Sequence, residues 1–584
     1  MSSAPSPPAP QNWFMYHGGY DHAGYIPPTS TSLSSSNVNS STFGLLNSIN
    51  VSGPILSVPA VVDGFIYVGV ANSHKAPGSI GGSILKINIL TGEQMASFTW
   101  PIEIDERDAH GFTGMGCTPT VINNFVYFVG FNAKLYCLNQ LDLSLVWVTD
   151  LRNADPTHNQ PITNTAGTPD NPVAAGWSSP LVVTLNISGV QTPCVILGIG
   201  EGENPYLYSF IYCLNAKTGN VIWIYCTCQF ITGKPNPVNQ LPASVVTGTP
   251  PAPFTVFNGT EVTRGCSVWS AIAYDPTTGY LYATTGQPAS PTNPNIDQGL
   301  PSVGWSSGIM ALNAANGNFV AFSQMPSSTA YRPTDLDVDI GSAPTLYTLP
   351  SGQRVVAVGC KNGGFMVCDA KTLKVLNVTS LLPRMANGDQ IPRIDPHPPV
   401  SEQNTVAPLV PNIVSNQNWG ENYFGPFNTA AVHPPSGTLF IGIGGPNYHL
   451  QGPGIDSETT PFMKVIDWAT LKDKWALDSQ DPPHYANVGA TMYQNPGESG
   501  LSSPAVVNDV VFVTTSWVSI YAYKVSDGTP LWSDQIGQQT GGLNGGYGYC
   551  LGPAIWGNYV VAGALILGSN TSPGGVLNIY GLLS

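Results

Sequence analysis

The chain has 584 residues, 42% apolar and only 9% charged, with 63 glycines and 53 prolines. So much apolar surface with so little charge argues against disorder. A net charge of -15, with 19 Lys and Arg and no basic run, argues against nucleic acid as a partner, and no run of 18 apolar residues predicts a membrane span.

Residues 1–12, MSSAPSPPAPQN, read as a Pro-rich arm. Such an arm is already extended and can lie across a neighbour, which allows a homo-oligomer or larger assembly; the plain alternative is a tail without fixed structure. No basic-then-apolar leader pattern opens the chain.

From residue 13 onward one unit recurs: a small-residue start, an apolar strand, a turn, a second strand, then a strand of the type 211-IYCLNAKTGNVIW. Its copies begin at 58-VPAVVDGFIYVG, 118-TPTVINNFVYFVG, 179-SPLVVTLNISGVQ, 268-VWSAIAYDPTTGYLYATTG, 343-APTLYTLPSGQRVVAVG, 429-TAAVHPPSGTLFIGIG, 503-SPAVVNDVVFVTT and 553-PAIWGNYVVAGA. Anchors fall at Asn88, Asn139, Asn215, Asn313, Asp369, Asp467 and Lys524. Trp147, Trp223, Trp475 and Trp532 end their units, where an aromatic can wedge between neighbours. Gly219 and Gly528, four residues before a Trp, suit a turn that needs positive φ.

Units of three or four antiparallel strands cannot bury both faces alone, and eight can close radially. The predicted fold is all-β: one eight-bladed β-propeller over 13–584, its ring closed by N- and C-terminal strands. The last unit is short of strands, and 43-FGLLNSINV is the candidate to complete it. The ten cysteines show no CxxC and read as small buried hydrophobes. His110, His397, His433, His449 and His484 read as loop residues with no nucleophile pattern.

The repeats resemble the blades of quinoprotein alcohol dehydrogenases, with the closest likeness to the polyvinyl-alcohol-dehydrogenase-like branch. The stretches 13-WFMYHGGYDHAGY and 541-GGLNGGYGYCLGPAIWGNYVVAGA carry the likeness at the two ends. The resemblance implies pyrroloquinoline quinone (PQQ) in the central channel beside a calcium-class divalent or lanthanide cation. It implies Trp269 as the stacking ring and Lys361 as a quinone contact, with Asn418 and Trp419 of 416-NQNWG as further cofactor contacts. It implies Glu203 and Gln287 as metal ligands, although Gln287 stands where the family has Asn. The family's general-base Asp has no direct match; Ser327, Ser328 and Thr329 occupy its place, and Asp335 is the substitute.

Two function classes follow. One is a PQQ- and metal-dependent dehydrogenase oxidising an alcohol or sugar hydroxyl. The other is a non-catalytic propeller with a degenerate site, serving as a surface, virion or assembly protein. The neutral polar surface suits an extracellular, periplasmic or virion-surface setting.

Overall fold

The computed structural model describes residues 9–73, 78–102, 112–151, 176–200, 209–227, 264–265, 267–286, 288–289, 307–325, 340–361, 364–381, 428–443, 463–475, 502–515, 518–536, 550–566 and 574–583. Eight blade sheets follow one another as antiparallel meanders, the last two each joined by one strand from the N-terminal region. Blade 1 is Ala60–Val62, Phe65–Val70, Ile80–Asn88 and Gln94–Pro101; blade 4 is Ala273–Asp275, Tyr280–Thr284, Gly308–Asn313 and Phe319–Gln324. Blade 5 runs from Thr345–Thr348 through Arg354–Gly359, and blade 7 starts with Ala505–Val507. Blade 6 has three described strands, the first being Ala431–His433, so His433 ends a strand and is not the loop residue expected. Blade 8 takes Pro553–Trp556, Tyr559–Ile566 and Gly574–Leu582 from the C-terminus, and Phe43–Val51 completes it by pairing antiparallel with the last of these. The ring closure read from the sequence is therefore correct.

The recurrent sequence marks have physical roles. The Asx anchors close the turn after the third strand: Asn215 Oδ1 accepts from Lys217 N and Thr218 N, and Asp467 Oδ1 accepts from Ala469 N and Thr470 N. Blade 7 departs from this, because Asp527 caps its turn in place of Lys524. Just inside these turns each ladder slips by one residue, as at Cys213/Leu214 and Ala311/Leu312.

The blade-ending tryptophans dock on the next blade. Trp147 Nε1 donates to Ala216 O, Trp223 Nε1 to Ala314 O, and Trp475 Nε1 to Val525 O, each at 3.1 Å. Each indole lies over a turn glycine of that next blade. A Cβ on Gly219, Gly317 or Gly528 would come within 2.7, 2.6 and 2.8 Å of the ring, and all three have positive φ. Glycine is needed there twice over, for φ and for space.

The inner strands carry small hydroxyls and thiols at their starts, and these make two sets of bonds. Within a blade, Ser342 Oγ holds the Gly359 N–H and C=O, and Ser502 and Cys117 do the same for Thr514 and Val129. Between blades, Thr118 N donates to Ser179 Oγ, Ala343 N to Thr429 Oγ1, and Thr429 N to Ser503 Oγ. The result is a hydroxyl belt around the axis. Cys117, Cys137, Cys194, Cys213, Cys360, Cys368 and Cys550 are buried thiols outside any disulfide. Burial raises the thiol pKa of Cys117 to about 12 and of Cys550 to about 11.

One segment lies on the axis. Residues Asn12–Ile26 pass the inner strands once in blade order. Asn12 accepts from Trp556 Nε1 of blade 8; Trp13 exchanges backbone bonds with Val61 of blade 1; Phe14 O accepts from Val121 of blade 2. Met15 joins the buried cluster that holds Leu181 and Ile196 of blade 3. Tyr20, Asp21, Ala23 and Gly24 then offer their carbonyls to Tyr274, Leu346, Val432 and Val506 of blades 4, 5, 6 and 7. Tyr25–Ile26 finishes as a parallel partner of Val506 and Val507. His17 and His22 are buried in this hub with φ of 53° and 52°. Gly24 makes room for His17, whose ring would lie 2.4 Å from a Cβ there.

Candidate functional site

Trp269 stands directly before the inner strand of blade 4. It is positioned by a close approach of two backbones: a Cβ on Gly198 of blade 3 would lie 2.1 Å from Val268 O, so only glycine lets the Trp269 loop sit so near. On the other side, Gly286 N donates to Ser267 O at 2.8 Å. Ser270, the next residue, shares a 2.5 Å hydrogen bond with Thr284 Oγ1, which also donates to Ser342 O of blade 5. The indole is half-buried.

Lys361 follows the second strand of blade 5 and is 6% exposed. Its Nζ lies 5.4 Å from the centroid of the Trp269 ring. The ammonium is thus held over an aromatic face, a contact worth roughly 0.5–2 kcal/mol. Two residues expected in one site from separate blades are brought together. Planar π surface, a fixed cation and nearby hydroxyls are the elements that bind a flat, conjugated acid.

The other expected residues, Glu203, Gln287, Asn418, Trp419 and Asp335, lie outside the described residues. Among the described residues no group of three or more His, Cys, Asp or Glu could hold a metal ion. No helix is long and apolar enough to cross a membrane.

The sequence reading passed over Trp177. It precedes the inner strand of blade 3 as Trp269 precedes that of blade 4, packs 4.8 Å from Phe131, and is also half-buried. The signal was present: 177-WSSPLV aligns with 269-WSAIAY on the Trp-Ser pair. Tyr16, Thr429 and Ser503 were also missed. The Tyr16 hydroxyl meets Thr429 Oγ1 at 3.0 Å and Ser503 Oγ at 2.9 Å.

No family model matches the chain. Lupanine 17-hydroxylase [cytochrome c] of Pseudomonas sp. is 24% identical over 90% of this chain and 70% of its own length. The dehydrogenase subunit of the quinone alcohol dehydrogenase of Komagataeibacter europaeus is 23% identical over 89% of this chain and 68% of its own. Among solved structures, quinohemoprotein alcohol dehydrogenase from Comamonas testosteroni superposes with a TM-score of 0.63 at 15% identity, covering 98% of this chain and 80% of that one. A europium-containing methanol dehydrogenase gives 0.63 at 14%, covering 98% of both. The chain is related to quinoprotein alcohol dehydrogenases and has the eight-bladed fold of these neighbours.

Proposed function

We propose that the chain binds pyrroloquinoline quinone at Trp269 and Lys361 and oxidises an alcohol there. The observation that carries this reading is the Lys361 ammonium over the half-buried Trp269 ring, in a relative of quinone-linked dehydrogenases. Trp269 would hold the planar ring system by stacking. Lys361 would exchange part of its contact with the indole for a carboxylate or reduced quinone oxygen, an anion that suits a buried cation. When bound, such a quinone supplies a two-electron oxidant, so that an alcohol loses a hydride equivalent and a proton to become a carbonyl. A calcium-class cation would be held by Glu203 and Gln287, and Asp335 would take the hydroxyl proton. A sugar hydroxyl is the second substrate class.

The test is reconstitution of the purified chain with quinone and calcium, then with quinone and a lanthanide. Quenching of tryptophan fluorescence reports binding, and reduction of an artificial dye by a panel of primary alcohols and sugars reports turnover. The reading predicts quenching that Trp269→Ala abolishes. Absence of quenching under both metals sinks it and leaves the non-catalytic propeller.

A further inference from the structure

Trp269 lies before its inner strand, whereas the hub meets the second residue of each inner strand of blades 4 to 7: Tyr274, Leu346, Val432 and Val506. Trp269 is five residues before Tyr274, the hub's contact in blade 4, and five extended residues span roughly 15 Å. The hub thus closes the end of the channel away from Trp269. One of its side chains crosses back. Tyr16 reaches Thr429 and Ser503, which stand three residues before the hub contacts Val432 and Val506. That is the level of the hydroxyl belt, two residues below the level of Trp269.

From Tyr16 a continuous chain of polar contacts runs to the candidate site. Thr429 Oγ1 accepts from Ala343 N; the adjoining Ser342 accepts at its carbonyl from Thr284 Oγ1; Thr284 meets Ser270, which adjoins Trp269. The same Ser342 holds Gly359, two residues before Lys361. Tyr16 is only half-buried although blades surround it, whereas its neighbours Met15 and His17 are 1% and 2% exposed. A side chain on the axis that keeps free surface faces a space, and the contacts above lead from that side chain to Trp269 and to the strand before Lys361.

We infer that Tyr16 is the floor of the ligand cavity, so that ligand enters by the Trp269 end alone and its occupancy stabilises the docked hub. The ligand class is a planar conjugated acid: a ring for Trp269, an anion for Lys361 and a hydrogen-bonding edge for the Tyr16 hydroxyl. This class rests on the quinone reading above; the floor itself does not. Coupling is reciprocal, because a ligand that touches Tyr16 favours the docked segment by as much as the docked segment favours the ligand.

Two measurements on the full chain test this separately. In the absence of ligand, a Tyr16→Cys variant should react with a small methanethiosulfonate reagent well above the parent, whose described cysteines are buried. A variant no more reactive than the parent would overturn the floor. With the quinone and calcium as probe, hydrogen exchange over residues 12–26 should slow. Tyr16→Phe, which keeps the ring, should bind about fivefold to tenfold more weakly by fluorescence quenching. Quenching with unchanged exchange and unchanged Tyr16→Phe affinity would overturn the coupling while leaving the quinone reading standing. Absence of quenching with a reactive Tyr16→Cys would sink the quinone reading and leave the floor in place.

Discussion

The Lys361 ammonium sits over the Trp269 ring, 5.4 Å from its centroid, although each residue belongs to a different blade. The contact depends on two features of the surrounding backbone: the Gly198 close approach that sets the Trp269 loop, and the Ser342 clamp that fixes the strand leading to Lys361.

Lys361→Met should therefore weaken quinone binding by about tenfold while keeping the stem's packing, since the lost charge-assisted contact to the quinone anion is worth roughly 1.5 kcal/mol. Fluorescence titration checks this. Equal affinity in the variant would remove Lys361 from the site.

Ser342→Ala should cost about 1–3 kcal/mol, because the Gly359 N–H and C=O each lose a buried partner. Ser342→Cys should cost less than about 1 kcal/mol, since Cys117 makes the same clamp in blade 2 with its thiol. Urea midpoints of the two variants give the comparison.

Gly317→Ala and Gly279→Ala separate strain from crowding. Both have positive φ, 71° and 73°, but a Cβ on Gly317 meets Trp223 at 2.6 Å and one on Gly279 meets nothing within 4 Å. Gly279→Ala should cost about 1 kcal/mol and Gly317→Ala about 2–4 kcal/mol by urea unfolding. Equal costs would mean that Trp223 moves aside freely.

Acid should loosen the hub. Burial, with a smaller push from His17, lowers the His22 pKa to about 3 against an ordinary 6.5, and a bond to Pro344 O partly offsets this. Between those values the unfolded chain binds a proton that the folded chain does not. Stability is then full above pH 6.5 and falls on acidification, by about 2 kcal/mol at pH 5. His17 is lowered in the same direction, chiefly by burial, and contributes with the same sign. Asp21 is the charged group that offsets it. His22→Asn keeps a donor near Nδ1 and tolerates φ of 52°, so it should flatten the His22 share of the profile. Parallel profiles for parent and variant, measured by urea midpoint at pH 7.5 and 5.0, would exclude His22.

The blades were legible because each repeat meets its neighbours through the same few residues. Asn215, Gly219 and Trp223 mark one turn and one docking, and the pattern returns with each copy. The hub was not legible in that way. In 13-WFMYHGGYDHAGY the partners change from blade to blade along the stretch, so it has no period, and they lie as far away as Val121, Leu346 and Ser503. Trp269 and Lys361 were both named through the family resemblance, yet Trp177, which enters its blade with the same Trp-Ser pair, went unread because the resemblance assigned it no role. His433 was misplaced because 434-PPSG looks like loop, while the strand it ends is only three residues long.

The hub also has a consequence for ancestry. A ring of repeats can gain or lose a unit by duplication or deletion as long as neighbours still stack. Here the backbone of the axial segment meets the blades in order, from Val61 through Val121 and Tyr274 to Val506. Removing a blade would put every later hub residue opposite the wrong strand. The number eight is thus written twice in this chain, once in its repeats and once in a stretch of fifteen residues that is not a repeat at all.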